Sequence, residues 1–411
     1  MLERSAAFAR AFVKWLAVAA VTGAAGGLVG SAFYLSVAKA TELRDGAPYL
    51  LYFLPLAGLA IAFFYRATHM ESEGTSAVIG SIRSGEGVPL VLVPVIFIST
   101  ALTHLCGGSA GREGAALQIG GGVGFAAGRL FRLDEKELRM ATLCGMSALF
   151  SALFGTPLTA AVFALEVVSV GQLYYSGLVP CLASALTAYG ITGLFGIAPT
   201  RFSIPFVALS ADGLWRVAVL AVLCALVSIL FCVTMHKSAH FAEKYIPNAY
   251  LRALAGGVII IALTLLLGTT DYNGAGVGVI TAALERGEAR PEAFLLKLVF
   301  TAVTLASGYR GGEVVPAFFI GSTFGCAAGA LLGLDPGFAA GIGLVAVFCG
   351  AVNCPVASMF LSVELFGSGE ILYFALACCV SYMLSGYTGL YSSQKIMYSK
   401  LRPEFIDINA K

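Results

Sequence analysis

Apolar residues fill long stretches of this chain and coat every side of a helix instead of one stripe, the pattern of segments surrounded by lipid. FVKWLAVAAVTGAAGGLVGSAFYLSVA from Phe12, LWRVAVLAVLCALVSILFCVTM from Leu214 and LRALAGGVIIIALTLLLG from Leu251 approach or exceed the ~20 residues that span a hydrocarbon core. The pattern predicts membrane segments near 11–40, 50–65, 89–106, 113–130, 138–169, 174–196, 213–235, 251–268, 292–308, 313–332, 336–365 and 369–387. Alternating strands of about ten residues are missing, which argues against an outer-membrane barrel. RLFRLDEKELR from Arg129, MHKSAHFAEKYIPNAYLR from Met235 and ERGEARPEA from Glu285 are expected to be aqueous loops. About 24 residues follow the last segment, too few for a soluble regulatory domain.

An internal repeat organises these segments. GREGAALQIGGGVG from Gly111 and GMSALFSALFGTPLTAAVFALEVV from Gly145 are echoed by GGEVVPAFFIGSTFG from Gly311 and GLVAVFCGAVNCPVASMFLSVELF from Gly343. Gly145 to Pro157 and Gly343 to Pro355 both span twelve residues, and Pro157 to Glu166 and Pro355 to Glu364 both span nine. Two copies about two hundred residues apart do not make a solenoid; they divide the chain into halves, 1–200 and 201–411. In transporters with repeated halves, substrate sites sit near the bilayer midplane, where interrupted helices point their N-termini at anions. Such N-termini carry partial positive charge and unpaired N–H donors. GGSAGREG and GYRGGEVVP are the matching Gly-rich starts, each with a glutamate.

Composition narrows the functional class. Residues are 58% hydrophobic and 12% charged, well below the quarter or so of charged residues usual in soluble domains. The net charge of +2 comes without a basic cluster interleaved with aromatics, so no nucleic acid is expected as a partner. Ten cysteines lie mostly singly in apolar segments, and neither they nor His69, His104, His236 and His240 show metal-ligand spacing. No metal, cofactor or enzymatic turnover is expected. Arg4, Arg10 and Lys14 precede a long apolar run without a small-residue cleavage site, and Lys395, Lys400, Arg402 and Lys411 follow the last one. The positive-inside rule therefore puts both ends in the cytoplasm of a multi-pass protein, with a prokaryotic plasma membrane as the expected location.

At GREGAALQIGGGVG the chain resembles the CLC anion channels and transporters, whose hallmark is a G-[KR]-E-G helix start followed by a glutamine and glycines. The GGEVVP block and the LYS triplet at Leu390, Tyr391 and Ser392 fall in family order, and the likeness runs from about residue 20 to 400. The resemblance implies an all-α polytopic membrane protein with the CLC fold. In that fold two inverted-topology repeats with broken helices meet at a midplane anion site, and two subunits form a homodimer with separate pathways. It makes Glu113 the gating glutamate, whose carboxylate occupies an anion site and leaves when protonated. A carboxylate at membrane depth points to an ion or proton route by itself. The resemblance gives Tyr391 a hydroxyl for the central anion, with amides around Val314 and Val315 facing the same ion. Ser109, Gly111, Arg112 and Gly114 belong to the first Gly-rich start.

Subtype features favour fluoride. Chloride-type members carry a G-S-G-I-P segment and fluoride exporters one like G-M-G-T-N; this chain has SEGTSAVIGSIR from Ser72. Thr75, the pattern that follows it, and Glu313 in GGEVVP resemble the fluoride subtype, in which a glutamate at that second-half position belongs to the proton–fluoride cycle. Val167 stands where chloride exchangers have a relay glutamate. Three positions depart from the exporter pattern: Glu73 replaces the serine or methionine, Ser76 the asparagine, and Val315 a threonine. A fixed charge at Glu73 would repel an anion by several kcal/mol at an effective dielectric near 20, so Glu73 is expected to be protonated, cation-paired or turned to a solvated vestibule.

The leading expectation is fluoride/proton antiport, with Glu113, Glu313 and Glu73 as gating and proton-coupling groups. Fluoride's water would be replaced by N–H groups, the Tyr391 hydroxyl and additional donors such as Thr75 or Ser76. Chloride/proton exchange or a passive anion channel is the alternative within the family. A cation-dependent transporter on the same fold is a third reading, motivated by the three carboxylates.

Overall fold

The computed structural model describes residues 2–71, 74–85 and 87–411, with side chains from residue 6 onward. Glu73 lies outside the described residues. The first half contains α1 (Leu2–Gly46), a 3-10 turn at Pro48–Phe53, α2 (Leu54–Ala67), α3 (Thr75–Ser84), α4 (Leu92–Leu105), α5 (Glu113–Leu130), α6 (Glu135–Phe154), α7 (Pro157–Glu166) and α8 (Leu178–Leu194). The second contains α9 (Ala211–Tyr245), α10 (Ala249–Leu267), α11 (Val277–Thr281), α12 (Ala293–Ala306), α13 (Val314–Leu331), α14 (Pro336–Val352), α15 (Pro355–Phe366) and α16 (Ile371–Leu384). Among the described residues, seven helices are long and apolar enough to cross a membrane, and six shorter apolar helices of 10–17 residues pack among them. The expected helical, multi-pass architecture is therefore the observed one.

Several boundaries differ from the hydropathy pattern. The stretch 138–169 breaks between α6 and α7, where Gly155 takes a left-handed φ of 69° and Pro157 starts a new helix. The stretch 336–365 breaks in the same way between α14 and α15, at Asn353 with φ 56° and at Pro355. Hydropathy averages across such breaks because both sides are apolar, whereas a left-handed residue followed by proline ends a helix locally. The segment from Met235, expected as a loop, instead continues α9 to Tyr245. Its polar face needs no core, because helical hydrogen bonds are satisfied within the segment whatever surrounds it. α3 likewise lies in a stretch the pattern left unassigned. The tail adds a small sheet: β1 (Ser169–Val170) pairs in parallel with β2 (Lys395–Tyr398), which pairs antiparallel with β3 (Phe405–Asn409).

Side-chain contacts orient the bundle. Lys14 pairs with Glu137, so the starts of α1 and α6 share one face, called here the basic face. The far end of α1, at Arg44 and Asp45, lines a cavity with residues 270–291 that follow α10, and this is the vestibule face. From its start near the centre, α5 runs toward the basic face and the turn to α6. α13 runs the other way: Leu332 beyond its end accepts a 2.8 Å bond from Arg216 near the start of α9, and Gly287 of the vestibule wall abuts Pro336 of α14. The two Gly-rich starts thus lead into helices of opposite direction.

Tight crossings accompany this arrangement. A methyl group added at Gly120, Gly124 or Gly145 would overlap main chain across the α5–α6 contact, and Gly321, Gly325 and Gly343 do the same for α13 and α14. Small residues permit such approach where lipid supplies no hydrophobic drive between helices. Two carboxylates tie the halves reciprocally. Glu166 at the end of α7 accepts from the amides of Val356 and Ala357 at the start of α15, at 3.2 and 2.8 Å. Glu364 near the end of α15 accepts from Leu158 and Thr159 at the start of α7, at 3.0 and 2.8 Å, and from the Thr159 hydroxyl at 2.6 Å. Glu364→Ala leaves these donors unpaired and is expected to cost about 2–3 kcal/mol. Thermal unfolding in detergent checks this, and an unchanged transition would contradict the bracing role.

Candidate functional site

The starts of α5 and α13 face each other. Gly111 and Gly312 exchange two backbone hydrogen bonds, each 2.7 Å, and hold the two loops together. A Cβ on Gly312 would meet the Glu113 amide at 3.0 Å and overlap that of Gly114. The first-turn amides of both helices, which lack partners within their own helix, consequently converge on one small volume.

Glu113 fills part of that volume. It is 1% exposed, and its Oε2 accepts from the Arg112 amide at 2.9 Å. The Val315 amide, from the other half, lies within reach of the same carboxylate. Arg112 Nε stands 3.6 Å from Glu113 Oε1, while its guanidinium stacks 4.2 Å from the Tyr34 ring centre. Arg112 therefore balances the carboxylate from the vestibule side. Pro316 and the Gly312 carbonyl complete the walls, each 3.2 Å from where a methyl on Gly111 would sit; that methyl would be 2.5 Å from Glu113 Oε2.

Glu313 stands on the other side of the junction as the residue preceding α13. Its Oε2 is buried without a hydrogen-bond partner among the described residues, and is 3.1 Å from where a methyl on Gly114 would lie. Tyr391 is 1% exposed, and its hydroxyl also lacks a partner among the described residues. It sits in the electrostatic neighbourhood of both Glu313 and Glu113. The turn carrying it is pinned by Leu390 N–H to the Ala351 carbonyl at 2.8 Å, and by Gln394 Nε2 to the carbonyls of Val167 and Val352 at 3.0 and 2.8 Å. The break at Asn353 and the tail sheet thus fix a donor at the junction. A buried hydroxyl and a buried carboxylate oxygen, both unpaired among the described residues and beside first-turn amides that lack a partner within their own helix, suit a small anion and a proton.

Not every expected residue joins this group. Ser109 turns away: its amide donates to Thr304 Oγ1 at 3.0 Å, and its hydroxyl lies 3.1 Å from Thr301 Oγ1, both on α12. It positions the loop instead of offering a donor. Thr75 hydroxyl donates to the Gly114 carbonyl at 3.3 Å and accepts from Gln118 Nε2 at 3.1 Å, which leaves no hydrogen for an ion. It braces α3 on α5. Ser76 carbonyl accepts from the Ser393 hydroxyl, tying α3 to the turn that carries Tyr391. Val314 and Val315 are buried in the first turn of α13 and bring backbone only.

Three residues near the junction were not singled out as site residues from sequence. Gln118 lies one turn into α5 with Oε1 buried and unpartnered among the described residues. His104 approaches the Gly111 carbonyl at 3.3 Å through Nε2. Lys297, fully buried on α12, donates to the carbonyls of Tyr272 and Gly274 at 3.1 and 2.7 Å. The legible signal for Lys297 was a lysine within an apolar run, which at membrane depth is costly and tied to an ion pathway.

A cavity of about 1540 Å³ opens on the vestibule face and reaches Glu113. Arg44, Arg112, Arg286 and Arg290 line it together with Glu42, Asp45, Asp271 and Glu288. His104 lines it as well, and Lys297 lies behind its wall, bonded to the carbonyls of Tyr272 and Gly274. Among the described residues no group of three or more His, Cys, Asp or Glu could hold a metal ion.

The family model described as voltage gated chloride channel matches residues 55–386. A protein of Pseudomonas syringae pv. tomato named "Chloride/fluoride channel protein" is 38% identical over 398 residues, covering 94% of this chain and 87% of its own length. A crystal structure of a CLC-type fluoride/proton antiporter superposes with a TM-score of 0.89 at 31% identity, covering 93% of this chain and 98% of the other. A slow cyanobacterial Cl⁻/H⁺ antiporter superposes with a TM-score of 0.80 at 18% identity over 90% of this chain and 94% of the other, a likeness of fold.

Proposed function

The chain belongs to the voltage-gated chloride channel (CLC) family, and from that premise we propose that it is a fluoride/proton antiporter that expels fluoride from the cytoplasm as protons enter. The observation that carries the proposal is the Glu113 carboxylate lying where amides of both helix starts converge, across Gly114 from the unpartnered oxygen of Glu313.

Ionised Glu113 competes with an anion for those amides. Protonation removes the charge and frees the donors, and fluoride then binds to the first-turn N–H groups around Gly114, Val314 and Val315 and to the Tyr391 hydroxyl. Protonated Glu313 offers an O–H donor to the same ion, and ionised Glu313 repels it, so one proton switches the group from release to capture. Small fluoride needs short, closely spaced donors in place of its water, which the glycine-to-glycine contact of the two starts permits. Anions collect over Arg112, which lines the vestibule beside Glu113. The cycle makes and breaks no covalent bond in a substrate, and no enzymatic turnover is proposed.

The basic face carries Arg10, Lys14, Arg129, Arg132, Lys136, Lys237 and Lys244, and the positive-inside rule supports placing it, with both termini, in the cytoplasm of a plasma-membrane protein. A homodimer with one pathway in each subunit follows from the family resemblance. Each half, 1–200 and 201–411, supplies one helix start, one glutamate and one proline-started helix.

Fluoride and chloride efflux from liposomes, recorded with ion electrodes while internal pH is followed, tests the reading. Fluoride efflux with proton uptake is expected, and Glu313→Gln is expected to slow the coupled flux at least about tenfold, since it removes a charge-switchable donor. Chloride flux with proton movement would assign a chloride exchanger, fluoride flux without protons a passive channel, and sodium-dependent flux at fixed anion gradients a cation-coupled transporter.

A further inference from the structure

On the basic face a second cleft, of about 280 Å³, opens between the end of α2 and the start of α10. These helices run antiparallel, with Gly58 against Ala253 and Gly257 against Pro55. Three guanidinium groups line the cleft, those of Arg66, Arg252 and Arg310, against one carboxylate, the exposed Glu71. Arg66 and Glu71 make no ion pair among the described residues. Arg252 Nη1 donates to the Ile246 carbonyl at 3.2 Å, which fixes the side chain, while its Nε is buried and has no partner among the described residues. A buried guanidinium N–H without an acceptor is costly unless something supplies one.

We propose that this cleft is a phosphate-binding site in which Arg66 and Arg252 grip one phosphate group, carried by an anionic phospholipid headgroup or present as the free ion. Guanidinium forks match phosphate oxygens in pairs, and basic pockets between membrane helices on the cytoplasmic side are suited to anionic headgroups. The flanking surface suits acyl chains: Phe63 of α2 and Leu251 and Leu254 of α10 are exposed on the two helices that form the cleft.

Occupancy would be felt at the transport site. Ser307, Gly308 and Arg310 form part of the cleft wall, and Gly312, two residues beyond Arg310, is the partner of Gly111 in the junction. Tyr309 hydroxyl lies 2.9 Å from the Leu54 carbonyl and 3.0 Å from that of Ala253, so the loop is bound to both helices flanking the cleft. Phosphate bound there would hold α2, α10 and the loop before α13 in one arrangement.

Retention of phosphatidylglycerol against phosphatidylcholine, read by native mass spectrometry of the full chain, tests the proposal without measuring transport, so its failure is distinct from failure of the fluoride reading. Wild type is expected to prefer the anionic lipid about thirtyfold, the weight of two basic residues near the membrane surface. The double variant Arg66→Gln/Arg252→Gln is expected to lose the preference. Lys237→Gln/Lys244→Gln, on the same face outside the cleft, is expected to keep it. If lipids are not discriminated but inorganic phosphate raises the unfolding temperature of wild type and not of the arginine variant, the site takes the free ion. Should the arginine variant fail to fold, competition on wild type decides: inorganic phosphate displaces the lipid where chloride at equal ionic strength does not. Equal behaviour of wild type and arginine variant, an equal loss in the lysine variant, or equal displacement by chloride would overturn the proposal.

Discussion

Glu113→Gln is expected to lower proton uptake accompanying fluoride efflux by at least about a hundredfold, the usual weight of a positioned proton-transfer group. The amide keeps the size of the carboxyl and still accepts from the Arg112 N–H, now 2.9 Å from Oε2, so α5 should start in the same place. What disappears is the charge that competes with the anion and the site that takes the proton. The pH dependence follows with a definite sign. In wild type, acidifying the outside drives protons inward and speeds fluoride efflux; in the variant, efflux is expected to be insensitive to outside pH. Electrode recordings at several outside pH values distinguish the two, and preserved coupling in the variant would shift the proton route to Glu313 alone.

Two glycine substitutions in the junction are expected to give opposite failures. On Gly111 a methyl would meet Glu113 Oε2 at 2.5 Å, while the nearest backbone, the Gly312 carbonyl, is 3.2 Å away. The carboxylate is the free end of a rotatable side chain, so Gly111→Ala should expel it and leave the helices in place. A folded protein with persistent fluoride leak and coupling reduced about as far as in Glu113→Gln is expected, because the same group is removed from the junction. On Gly312 the methyl would overlap the backbone amide of Gly114, and no side chain can yield. Gly312→Ala should separate the two starts, cost about 1–3 kcal/mol as an overpacked contact, and abolish flux altogether. Unfolding temperature together with flux separates these outcomes; equal loss of stability in both variants would mean that the Glu113 carboxylate cannot leave its place.

Much of this is legible in the amino-acid sequence alone. Apolar runs long enough to span lipid, the recurrence of Gly145–Pro157–Glu166 as Gly343–Pro355–Glu364, and a glutamate at each Gly-rich start identified a repeated membrane transporter with Glu113 and Glu313 near its centre. These features are local: they depend on hydrophobic length, on residue spacing and on the chemistry of a helix start, all of which a linear chain displays. The breaks at Gly155 and Asn353 were less visible, because apolar residues lie on both sides and hydropathy does not register a left-handed turn.

Only the tertiary structure decided which hydrogen-bonding groups stay open at the junction and which serve the scaffold. Ser109 and Thr75 carry hydroxyls next to the right helix starts, yet Thr304, Thr301, Gly114 and Gln118 take them up, and each of those partners except Gly114 and Gln118 comes from the other half of the chain. Tyr391 and Glu313 keep free polar atoms because no neighbour among the described residues reaches them. The reciprocal hold of Glu166 on α15 and Glu364 on α7 likewise joins residues about two hundred positions apart. The sequence by itself determined the class of protein, the repeat and the two central carboxylates. Which hydrogen-bonding groups remain unpaired was decided by the fold, since a hydroxyl or carboxylate is free only when every other group in space, near or far in the chain, is bound elsewhere.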